Sequence, residues 1–289
     1  VEVISNPEFL REGEAIRDFR FPDRIVIGSN NPKFFSVMKK LYQPLINKGA
    51  KFFATRRLGA ELIKYASNAF LATKITFINE LANLCEKSNV NIEDIALGMG
   101  SDTRIGSRFL RAGPAYGGSC FPKDTKGLVS IGKKFKTDLT IVKTVIKSNE
   151  KRKKLHTDKI EKILGSLKGK KIAFLGVTFK PNTDDMRDSV SLKMIPFVSK
   201  KGAKVSYYDP SGKKDEFQKI KNCKFVNNIK DICKDADLII LHTEWDEFKS
   251  IEFEKLSKNK KLIIFDLRNL YNLNEMKRKK FKYFSVGRS

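Results

Sequence analysis

The chain has 289 residues, a hydrophobic content of 40%, and a formal net charge of +25 that comes from 58 Lys and Arg against 33 Asp and Glu. This length allows more than one domain with a real hydrophobic core, and because no run of about 18 apolar residues occurs, the sequence predicts no membrane-spanning helix. Two histidines, and four cysteines without metal-ligand spacing, predict no metal site and indicate the reduced thiols of a cytosolic protein.

The positive charge leaves the class of partner open. Basic residues occur in short runs, such as residues 151–154, and acidic residues are interleaved with them. This pattern is typical of solvated helix faces and less typical of a nucleic-acid groove, although the charge would also attract an anionic small substrate. We therefore expect no nucleic-acid partner, with a basic nucleic-acid-binding module as the alternative.

The first 57 residues predict part of an α/β unit. Residues 1–5, 24–28 and 51–54 are short apolar runs typical of strands, and residues 32–45 have helical spacing. The chain opens with Val-Glu-Val, without an initiator methionine or a signal peptide, so we expect a fragment that begins inside a domain.

Residues 58–88 predict the longest helix, because they contain no proline and their apolar residues, among them Phe70, Phe77 and Leu84, recur at helical spacing. Such a helix would be about 46 Å long. Between residues 62 and 79 only two lysines are charged, which predicts that most of its circumference is buried. A buried helix of this length is typical of a domain centre or a subunit interface.

Residues 91–150 predict shorter helices, and the lysine-rich residues 147–168 predict a linker or a connecting helix. Strand and helix patterns then alternate, which predicts a parallel sheet with ligands at the carboxyl ends of its strands. The predicted strands are residues 171–178, 204–209, 237–242 and 262–266, and the predicted helix is residues 190–201. The fold class is therefore α/β, with the tail of a Rossmann domain in 1–57, a central helical domain in 58–150 and a Rossmann-like parallel-sheet domain in 151–289.

The sequence contains no glycine fingerprint for a dinucleotide. Gly98-Met99-Gly100 follows a helical stretch and lacks the third glycine, and the strand at residues 171–178 ends with only Gly176. The last segment is consistent with nucleotide binding, but it does not show the pyrophosphate loop that NAD requires.

A glycine-rich loop at residues 113–124 carries the clearest chemical signal. Glycine has no side chain and tolerates positive φ, so such a loop lets the backbone come close to a ligand. The loop contains Cys120, with Lys123 and Asp124 three and four residues later. Because a thiolate is a strong nucleophile, this pattern predicts a reactive cysteine; the alternative is a buried structural cysteine beside a turn.

Two polar clusters could act with this thiol. Glu8 and Glu12 follow the first predicted strand and form a carboxylate pair that supplies a general base or, alternatively, only begins a helix. Lys64 and Asn68 share one face of the long helix, where they are either buried structural polar groups or donors to a developing oxyanion.

Neither histidine is an obvious partner for the thiol. His156 lies in a lysine-rich stretch and His242 ends a predicted buried strand, so a Cys–His hydrolase is an alternative. Thiol chemistry without histidine suits the oxidation of an aldehyde, in which the thiolate adds to the carbonyl, hydride leaves to a nicotinamide, and activated water hydrolyses the thioester.

Together these segments resemble the UDP-glucose 6-dehydrogenase family, within the UDP-glucose/GDP-mannose dehydrogenase group. The resemblance covers essentially the whole chain and is carried by specific motifs. They are Asn-Pro-Glu-Phe-Leu-Arg-Glu-Gly at residues 6–13, Phe-Pro-Asp-Arg-Ile-Val-Ile-Gly at 21–28, residues 64–80, Arg-Ile-Gly at 104–106, Phe-Leu-Arg-Ala-Gly at 109–113, the cysteine loop, and residues 179–189. Phe121 and residues 6–28 favour UDP-glucose as the substrate.

The resemblance implies a role for each matching residue. Cys120 would be the nucleophile that forms thiohemiacetal and thioester intermediates, with Lys64, Asn68 and Asp124 around it and Glu8 as the base for thioester hydrolysis. The implied substrate contacts are Phe9, Leu10, Arg11, Glu12, Lys64, Asn68, Phe109, Leu110, Arg111, Ala112, Gly113, Gly117, Lys180 and Arg268, with Arg104 reaching in from a neighbouring subunit. The implied NAD contacts are Glu12, Lys123 and Arg187.

The implied reaction converts UDP-glucose, two NAD⁺ and water into UDP-glucuronate and two NADH, in a homodimer or a higher homo-oligomer formed through the central helix. The family's Rossmann domain is missing apart from its last segment, so we expect no productive NAD binding by this polypeptide alone. GDP-mannose is the alternative substrate, and a non-catalytic nucleotide-sugar-binding remnant is the alternative of another class.

Overall fold

The computed structural model of the chain describes residues 2–257, 259, 261–279 and 281–288. Its helices are α1 (Ala15–Arg20), α2 (Lys33–Leu41), α3 (Gln43–Ile46), α4 (Arg57–Ser88), α5 (Ile92–Gly100), α6 (Cys120–Lys134), α7 (Thr140–Leu164), α8 (Ser191–Lys200), α9 (Ile229–Cys233), α10 (Phe253–Leu256) and α11 (Leu273–Arg278). Its strands are β1 (Arg24–Gly28), β2 (Lys51–Thr55), β3 (Lys171–Leu175), β4 (Lys204–Tyr208), β5 (Cys223–Phe225), β6 (Leu238–Leu241), β7 (Ile263–Asp266) and β8 (Lys282–Ser285). None of the helices in this part of the chain is long and apolar enough to cross a membrane.

The first of two compact units comprises Val1–Phe70 and Asp124–Leu139. It contains a two-stranded parallel sheet, in which β1 and β2 pair in register, and the interior of β1 is buried. This confirms two of the predicted strands, and α2 with α3 confirms the helical segment between them.

The predicted strand at residues 1–5 is wrong for the described residues 2–5. They form only an isolated antiparallel bridge, from Ser5 to Gly28, and Val1 lies outside the described residues. Pro7 follows almost at once and has no N–H to donate, so a longer ladder with β1 is not available.

Helix α4 confirms the longest predicted helix. It ends at Ser88, because Asn89 takes the left-handed conformation, with φ of 57°, that commonly stops a helix. Between residues 62 and 79 most side chains are buried or half-buried, as predicted, but Phe70 and Phe77 are not, with 66% and 48% of their surface exposed. Leu84, one further heptad along, is 60% exposed, so an apolar stripe of α4 faces outward from the single chain.

The second unit, Leu71–Lys123 with Thr140–Ser289, contains a six-stranded, all-parallel sheet. The strand order is β5-β4-β3-β6-β7-β8, which in order of appearance is the 3-2-1-4-5-6 arrangement of a Rossmann fold. The predicted α/β class and parallel sheet are therefore confirmed. Strands β5 and β8 were not predicted, since these edge strands have only three and four residues and neither shows a regular apolar pattern.

The central strands are buried on both faces, as in sheets covered by helices on either side. Ile172 and Phe174 of β3 belong to one hydrophobic cluster, which includes residues of α8, and Ala173 and Leu175 belong to another, which includes residues of α9. Successive strands are added on one side of β3 up to β5 and on its other side from β6 onward, so the carboxyl ends of β3 and β6 form the topological switch point where ligands of such sheets bind.

Helix α7 occupies the segment predicted as a linker or connecting helix. The charge pattern predicts that its lysine-rich run at 151–154 is a solvated face, and this is only partly correct. Lys151 and Lys154 are exposed, but Arg152 and Lys153 are only 5% and 2% exposed. Lys153 is buried because Glu150, at 2.7 Å, and Asp188, at 3.4 Å, compensate its charge. Helical periodicity therefore turns half of this basic run toward the interior.

Candidate active site

The turn after β3 begins the site at the switch point. Gly176 has φ of 76°, and a Cβ there would lie 2.5 Å from the Cβ of Thr243, so only glycine fits. The buried Asp209, at the end of β4, accepts hydrogen bonds from the backbone N–H of Val177 at 2.7 Å and of Thr178 at 3.3 Å. Asp209 thus fixes the turn that follows β3.

Arg268 lies across the carboxyl ends of three strands. Its Nη2 donates to the carbonyl of Phe179 at 2.8 Å, and its Nε donates to the carbonyl of His242 at 2.8 Å and pairs with Glu244 at 2.9 Å. Burial lowers the pKa of this guanidinium. Arg111 donates in turn to the carbonyl of Arg268 at 3.0 Å, so two predicted substrate arginines meet here.

The cysteine loop is held by buried side chains that bind its backbone. Asn79 of α4 accepts from the N–H of Gly113 at 2.9 Å, and Arg152 donates to the Gly113 carbonyl at 2.7 Å. Asn149 both accepts from the N–H of Tyr116 at 3.0 Å and donates to its carbonyl at 3.1 Å. Asn79, Asn149 and Arg152, which we call the loop clamp, therefore fix both ends of the segment before Cys120.

The loop clamp was not predicted from the sequence. Asn149 and Arg152 lie in the lysine-rich stretch predicted as a connector, and Asn79 lies on the long helix eleven residues after Asn68. A polar residue within an otherwise apolar helical pattern was the only available signal for Asn79, since its partner is 34 residues away in the chain.

The glycines of the loop are required by protein contacts. A Cβ on Gly117 would lie 2.6 Å from the carbonyl oxygen of Asp188, and one on Gly118, whose φ is 78°, would lie 2.7 Å from the Phe179 ring. Gly118 also donates its N–H to the carbonyl of Arg187 at 2.8 Å. The close approach predicted from the glycines is therefore made, at these two positions, to the segment that follows β3.

Cys120 is the first residue of α6 and a half-buried free thiol. Its Sγ lies 3.6 Å from the Ser119 hydroxyl. The next residue, Phe121, packs edge-on against Tyr116 and Phe109, with ring centroids 6.1 and 6.2 Å apart. Asp124 follows one turn later on the same helix, so the thiol and this carboxylate project from one helix face.

In the first unit, Lys64 binds Glu8. The ammonium donates to the Glu8 backbone carbonyl at 2.6 Å and to its carboxylate at 3.1 Å. Phe9 lies beside this pair, 5.4 Å from the Lys64 ammonium and 3.9 Å from the Arg24 guanidinium. The lysine side chain is 13% exposed and the glutamate 55%, so a carboxylate open to solvent lies beside a shielded cation.

One turn along the same face of α4, Asn68 donates to the Asp124 carboxylate at 2.6 Å. Both are buried, with exposures of 8% and 0%. Four of the five predicted catalytic residues, Glu8, Lys64, Asn68 and Asp124, thus form two adjacent polar pairs in the first unit, while Cys120 belongs to the second.

Arg11 and Leu10 complete the predicted contacts of the first segment. Arg11 forms a bidentate pair with Asp18, at 2.6 and 3.0 Å, which raises the pKa of Arg11 and lowers that of Asp18. The N–H of Leu10 donates to Glu8 at 2.7 Å. These bonds order the chain around Glu8, and the half-buried Glu12 lies in the same stretch.

The remaining predicted residues differ in their accessibility. Arg104 is 86% exposed and is held by Asp102 at 2.6 Å, and Arg187 is 65% exposed and is held by Asp185 at 2.8 Å. Lys180 lies 5.6 Å from the Phe179 ring, close to Arg268. Leu110 and Ala112 are buried in the core, whereas Lys123, next to Asp124 in α6, is exposed.

The alternative Cys–His arrangement finds no support in the described part of the chain. His242 is fully buried, its Nδ1 lies 3.0 Å from the Thr243 hydroxyl, and neither ring nitrogen bonds Cys120. Burial holds the pKa of His242 well below its ordinary value of 6.5. The imidazole is therefore a neutral core group.

Three family models match consecutive parts of the chain. They describe the UDP-glucose/GDP-mannose dehydrogenase family: its NAD binding domain at residues 1–46, its central domain at 59–151 and its UDP binding domain at 173–273. The cysteine loop, Asn79 and Asn149 lie within the central-domain match, which ends one residue before Arg152, and Arg268 and Lys180 lie within the UDP-binding match.

Whole-chain relatives agree with these matches. UDP-glucose 6-dehydrogenases of Rickettsia felis and Rhizobium meliloti are each 47% identical to the chain, over 99% and 100% of it. The structure of a UDP-glucose dehydrogenase from Pyrobaculum islandicum superimposes with a TM-score of 0.89 at 32% identity, over 100% of the chain. The chain spans 64%, 67% and 64% of these three relatives, about two thirds of their length.

Proposed function

The chain belongs to the UDP-glucose/GDP-mannose dehydrogenase family, and from this premise we propose that it acts as an NAD-dependent UDP-glucose 6-dehydrogenase. The reaction oxidises the C6 alcohol of UDP-glucose in two steps, so that UDP-glucose, two NAD⁺ and water give UDP-glucuronate, two NADH and protons. The names of the relatives, at 47% identity, support this choice of nucleotide sugar.

One observation carries the proposal: the cysteine loop packs against the segment that follows β3, at the carboxyl ends of the strands of the Rossmann-like sheet. Phe179, which follows β3, contacts Gly118 of the loop and accepts a hydrogen bond from Arg268. A thiol and a cationic edge are thereby built into one compact unit. This is the arrangement that a diphosphate-linked sugar needs, because its phosphates and its reacting carbon must be bound together.

The thiol supplies the covalent step. After the alcohol has become an aldehyde, Cys120 Sγ bonds to that carbon to give a thiohemiacetal, whose oxidation gives a thioester that water cleaves. Sγ lies at the N-terminus of α6, where the positive end of the helix dipole favours negative charge on the adduct.

The polar pairs on α4 serve the oxyanion and the water. The Lys64 ammonium carries three hydrogens, of which Glu8 uses two, so one remains for an oxyanion. The Asn68 amide is the second donor to the oxyanion, and its hydrogen bond to Asp124 orients it. The exposed Glu8 carboxylate is the base that activates water against the thioester.

Charge and exposure support the proposed binding residues. Arg268, Arg111 and Lys180 at the sheet edge suit a diphosphate, and Phe9 to Glu12, Phe109 to Gly113 and Gly117 provide the remaining substrate contacts. The Glu12 carboxylate can accept from hydroxyls of NAD, and Lys123 and the exposed Arg187 can donate to its phosphates. NAD, when bound, accepts the hydride in both oxidations.

The substitution Cys120→Ser tests this mechanism. In a full-length enzyme that includes this chain, we expect turnover to fall by at least ~10⁴-fold, because the serine hydroxyl is a far weaker nucleophile, while the Kd for UDP-glucose changes less than about twofold. NADH formation and calorimetric titration of UDP-glucose, with GDP-mannose for comparison, measure the two quantities.

The matched control is Cys223→Ser. Cys223 is another half-buried thiol, and burial raises its pKa to about 11, so it stays protonated and turnover should not change. Near-normal turnover of the Cys120→Ser enzyme would remove the thiol from the mechanism, and binding of GDP-mannose in preference to UDP-glucose would contradict the proposed substrate.

We also propose a homodimer formed through α4. Phe70, Phe77 and Leu84 are seven residues apart and form the outward apolar stripe of that helix, which a second copy can cover. The exposed Arg104 would reach the neighbouring substrate site.

Subunit mixing tests this exchange of residues. Cys120→Ser and Arg104→Ala enzymes, each inactive or nearly so, should regain part of their activity when mixed subunits reassociate, because one of the two sites then combines an intact thiol with an intact Arg104. If the mixture is no more active than its components, Arg104 acts within its own subunit or not at all.

A further inference from the structure

A polar cavity of about 160 Å³ lies between α4 and α7, behind the loop clamp. Thr76, Asn79, Asn149 and Arg152 line it as buried residues, while Glu80 and Lys151 line it as exposed ones. The cavity is therefore open to ions from solvent and has a buried polar floor. Its volume corresponds to about five waters at ~30 Å³ each.

The floor of the cavity carries polar atoms without partners. The Nη2 of Arg152, the Nδ2 of Asn79 and the hydroxyl of Thr76 are buried and have no hydrogen-bond partner among the described residues. The other polar atoms of these residues are committed, since Arg152 Nη1 donates to the Asn79 carbonyl at 2.7 Å and to Asn83 at 3.0 Å. Two of the three unpartnered groups are obligatory donors, so they require an acceptor.

Arg152 also lacks a compensating negative charge. Its surface is 5% exposed, its bonded partners are carbonyl and amide oxygens, and no carboxylate forms an ion pair with it in the described part of the chain. The charge of Glu86 favours the protonated form of this guanidinium, but Glu86 is itself bound by Lys159 at 2.5 Å. A buried charge of this kind is costly unless it is paired.

We propose that this cavity is a binding site for a small oxyanion, of phosphate or carboxylate chemistry, held by Arg152, Asn79 and Thr76. The anion pairs with Arg152 and accepts from Asn79 Nδ2, and the Thr76 hydroxyl donates the third bond. Lys151 at the rim adds to the positive field, and Glu80, which also accepts from Ser148, opposes it. Because Asn79 and Arg152 hold Gly113 with their remaining atoms, the ligand stabilises the side chains that fix the cysteine loop.

Titration of the purified chain with inorganic phosphate tests the site. Saturable binding at constant ionic strength, followed by calorimetry and by ³¹P line broadening, is the expected result, and a parallel titration with acetate shows whether a carboxylate also binds. The decisive variant is Asn79→Asp, which keeps the oxygen that accepts from Gly113 and replaces the free donor by an anionic oxygen. We expect it to weaken phosphate binding at least ~tenfold by like-charge repulsion.

Two rim variants keep the test independent of folding, because both positions are exposed. Glu80→Gln should tighten phosphate binding by about two- to fivefold and Lys151→Gln should weaken it by a similar factor, since each removes one charge from the mouth of the cavity. Opposite effects of these two substitutions on the affinity would identify the ligand in the cavity as an anion. Absence of saturable binding of either ion up to about 0.1 M, where screening removes surface contacts, would mean that the cavity holds only water, and binding indifferent to all three variants would place it elsewhere. Either outcome overturns the proposal.

Discussion

The cysteine loop and the polar pairs on α4 are held by different kinds of bond. The loop is fixed through its backbone, by buried Asn79, Asn149 and Arg152, whereas Glu8, Lys64, Asn68 and Asp124 are held mainly side chain to side chain. Bonds to a buried backbone cannot be exchanged without leaving N–H and C=O groups unpaired, but an ion pair with an exposed member can be opened by a ligand.

This difference separates the two requirements of the proposed catalysis. The nucleophile must be held in one place, and its loop is built as part of the core. The groups that act on the oxyanion and the water must exchange partners during the reaction, and one of their two pairs is partly exposed. Substitutions in the loop clamp should therefore have the larger effect on stability, and substitutions in the polar pairs should lower activity with little effect on stability.

The largest effect on stability is expected at the loop clamp. Asn149→Ala removes both buried hydrogen bonds to the Tyr116 backbone, so the free energy of unfolding should fall by about 2–4 kcal/mol. Urea denaturation measures this loss, and faster amide exchange in residues 113–123 locates it. Gln218→Ala, at an exposed position whose side chain bonds the nearby Asp215, is the control, for which a change within about 0.5 kcal/mol is expected. A similarly small change for Asn149→Ala would show that the loop is held by other contacts.

The next largest effect on stability is expected from a fall in pH, and only in the second unit. The chain contains two histidines, His156 and His242, both in that unit, and burial holds the pKa of each well below the ordinary 6.5. Above about pH 6.5 both states of the protein carry neutral imidazoles and the stability is fully present. As the pH falls below that value the unfolded chain binds protons that the folded chain excludes, so the free energy of unfolding decreases by up to about 1.4 kcal/mol per pH unit for each histidine.

Denaturant unfolding between pH 7.5 and 5, followed separately by amide exchange in the two units, measures this dependence. His156→Gln and His242→Gln should each flatten it. Equal acid sensitivity of the first unit, which has no histidine, would assign the effect to carboxylates instead.

The smallest effect on stability is expected for Glu8→Gln. The Lys64 bond to the Glu8 backbone carbonyl survives and the lost ion pair has a 55% exposed member, so the free energy of unfolding should change by less than about 0.5 kcal/mol. In a full-length enzyme, turnover should nevertheless fall by about 10²-fold or more, because the general base is lost. Accumulation of the Cys120 thioester, seen as an added mass on the intact protein, identifies hydrolysis as the slowed step. Glu61→Gln, at an exposed position near the start of α4, is the control; without thioester accumulation in Glu8→Gln, another group is the base.

Periodicity was sufficient for the elements that are long or buried on both sides. Helix α4 and strands β1, β2, β3, β4, β6 and β7 follow from the apolar pattern because burial selects their side chains at regular intervals. The short edge strands β5 and β8 lack that pattern, since an edge strand packs on fewer neighbours. Residues 2–5 have the apolar pattern of a strand but form only the bridge at Ser5, because composition does not reveal pairing.

The candidate site divides in the same way. Local motifs indicated the thiol, the glycines beside it and the charged residues of the resemblance, because the chemistry requires those side chains. They did not indicate Asn149 or Arg152, whose partners lie 33 and 39 residues away, nor that Arg268 and the cysteine loop both meet Phe179. Pairing over such distances has no signature in a local window.

Residue types at fixed spacing were enough for the α/β class, the long helix and the family, and they predict Cys120 as the reactive thiol. Which polar residues are buried and bonded to backbone, and which are exposed, depended on tertiary packing. Packing buries Arg152 within a run of lysines and leaves Phe70 and Phe77 exposed on a helix whose pattern predicts burial. It also places Asp209 and Asn149 where they bind the backbone of turns. The reason is physical: burial and hydrogen-bond satisfaction depend on what the rest of the chain brings to each side chain, and those partners are set by packing rather than by neighbouring residues.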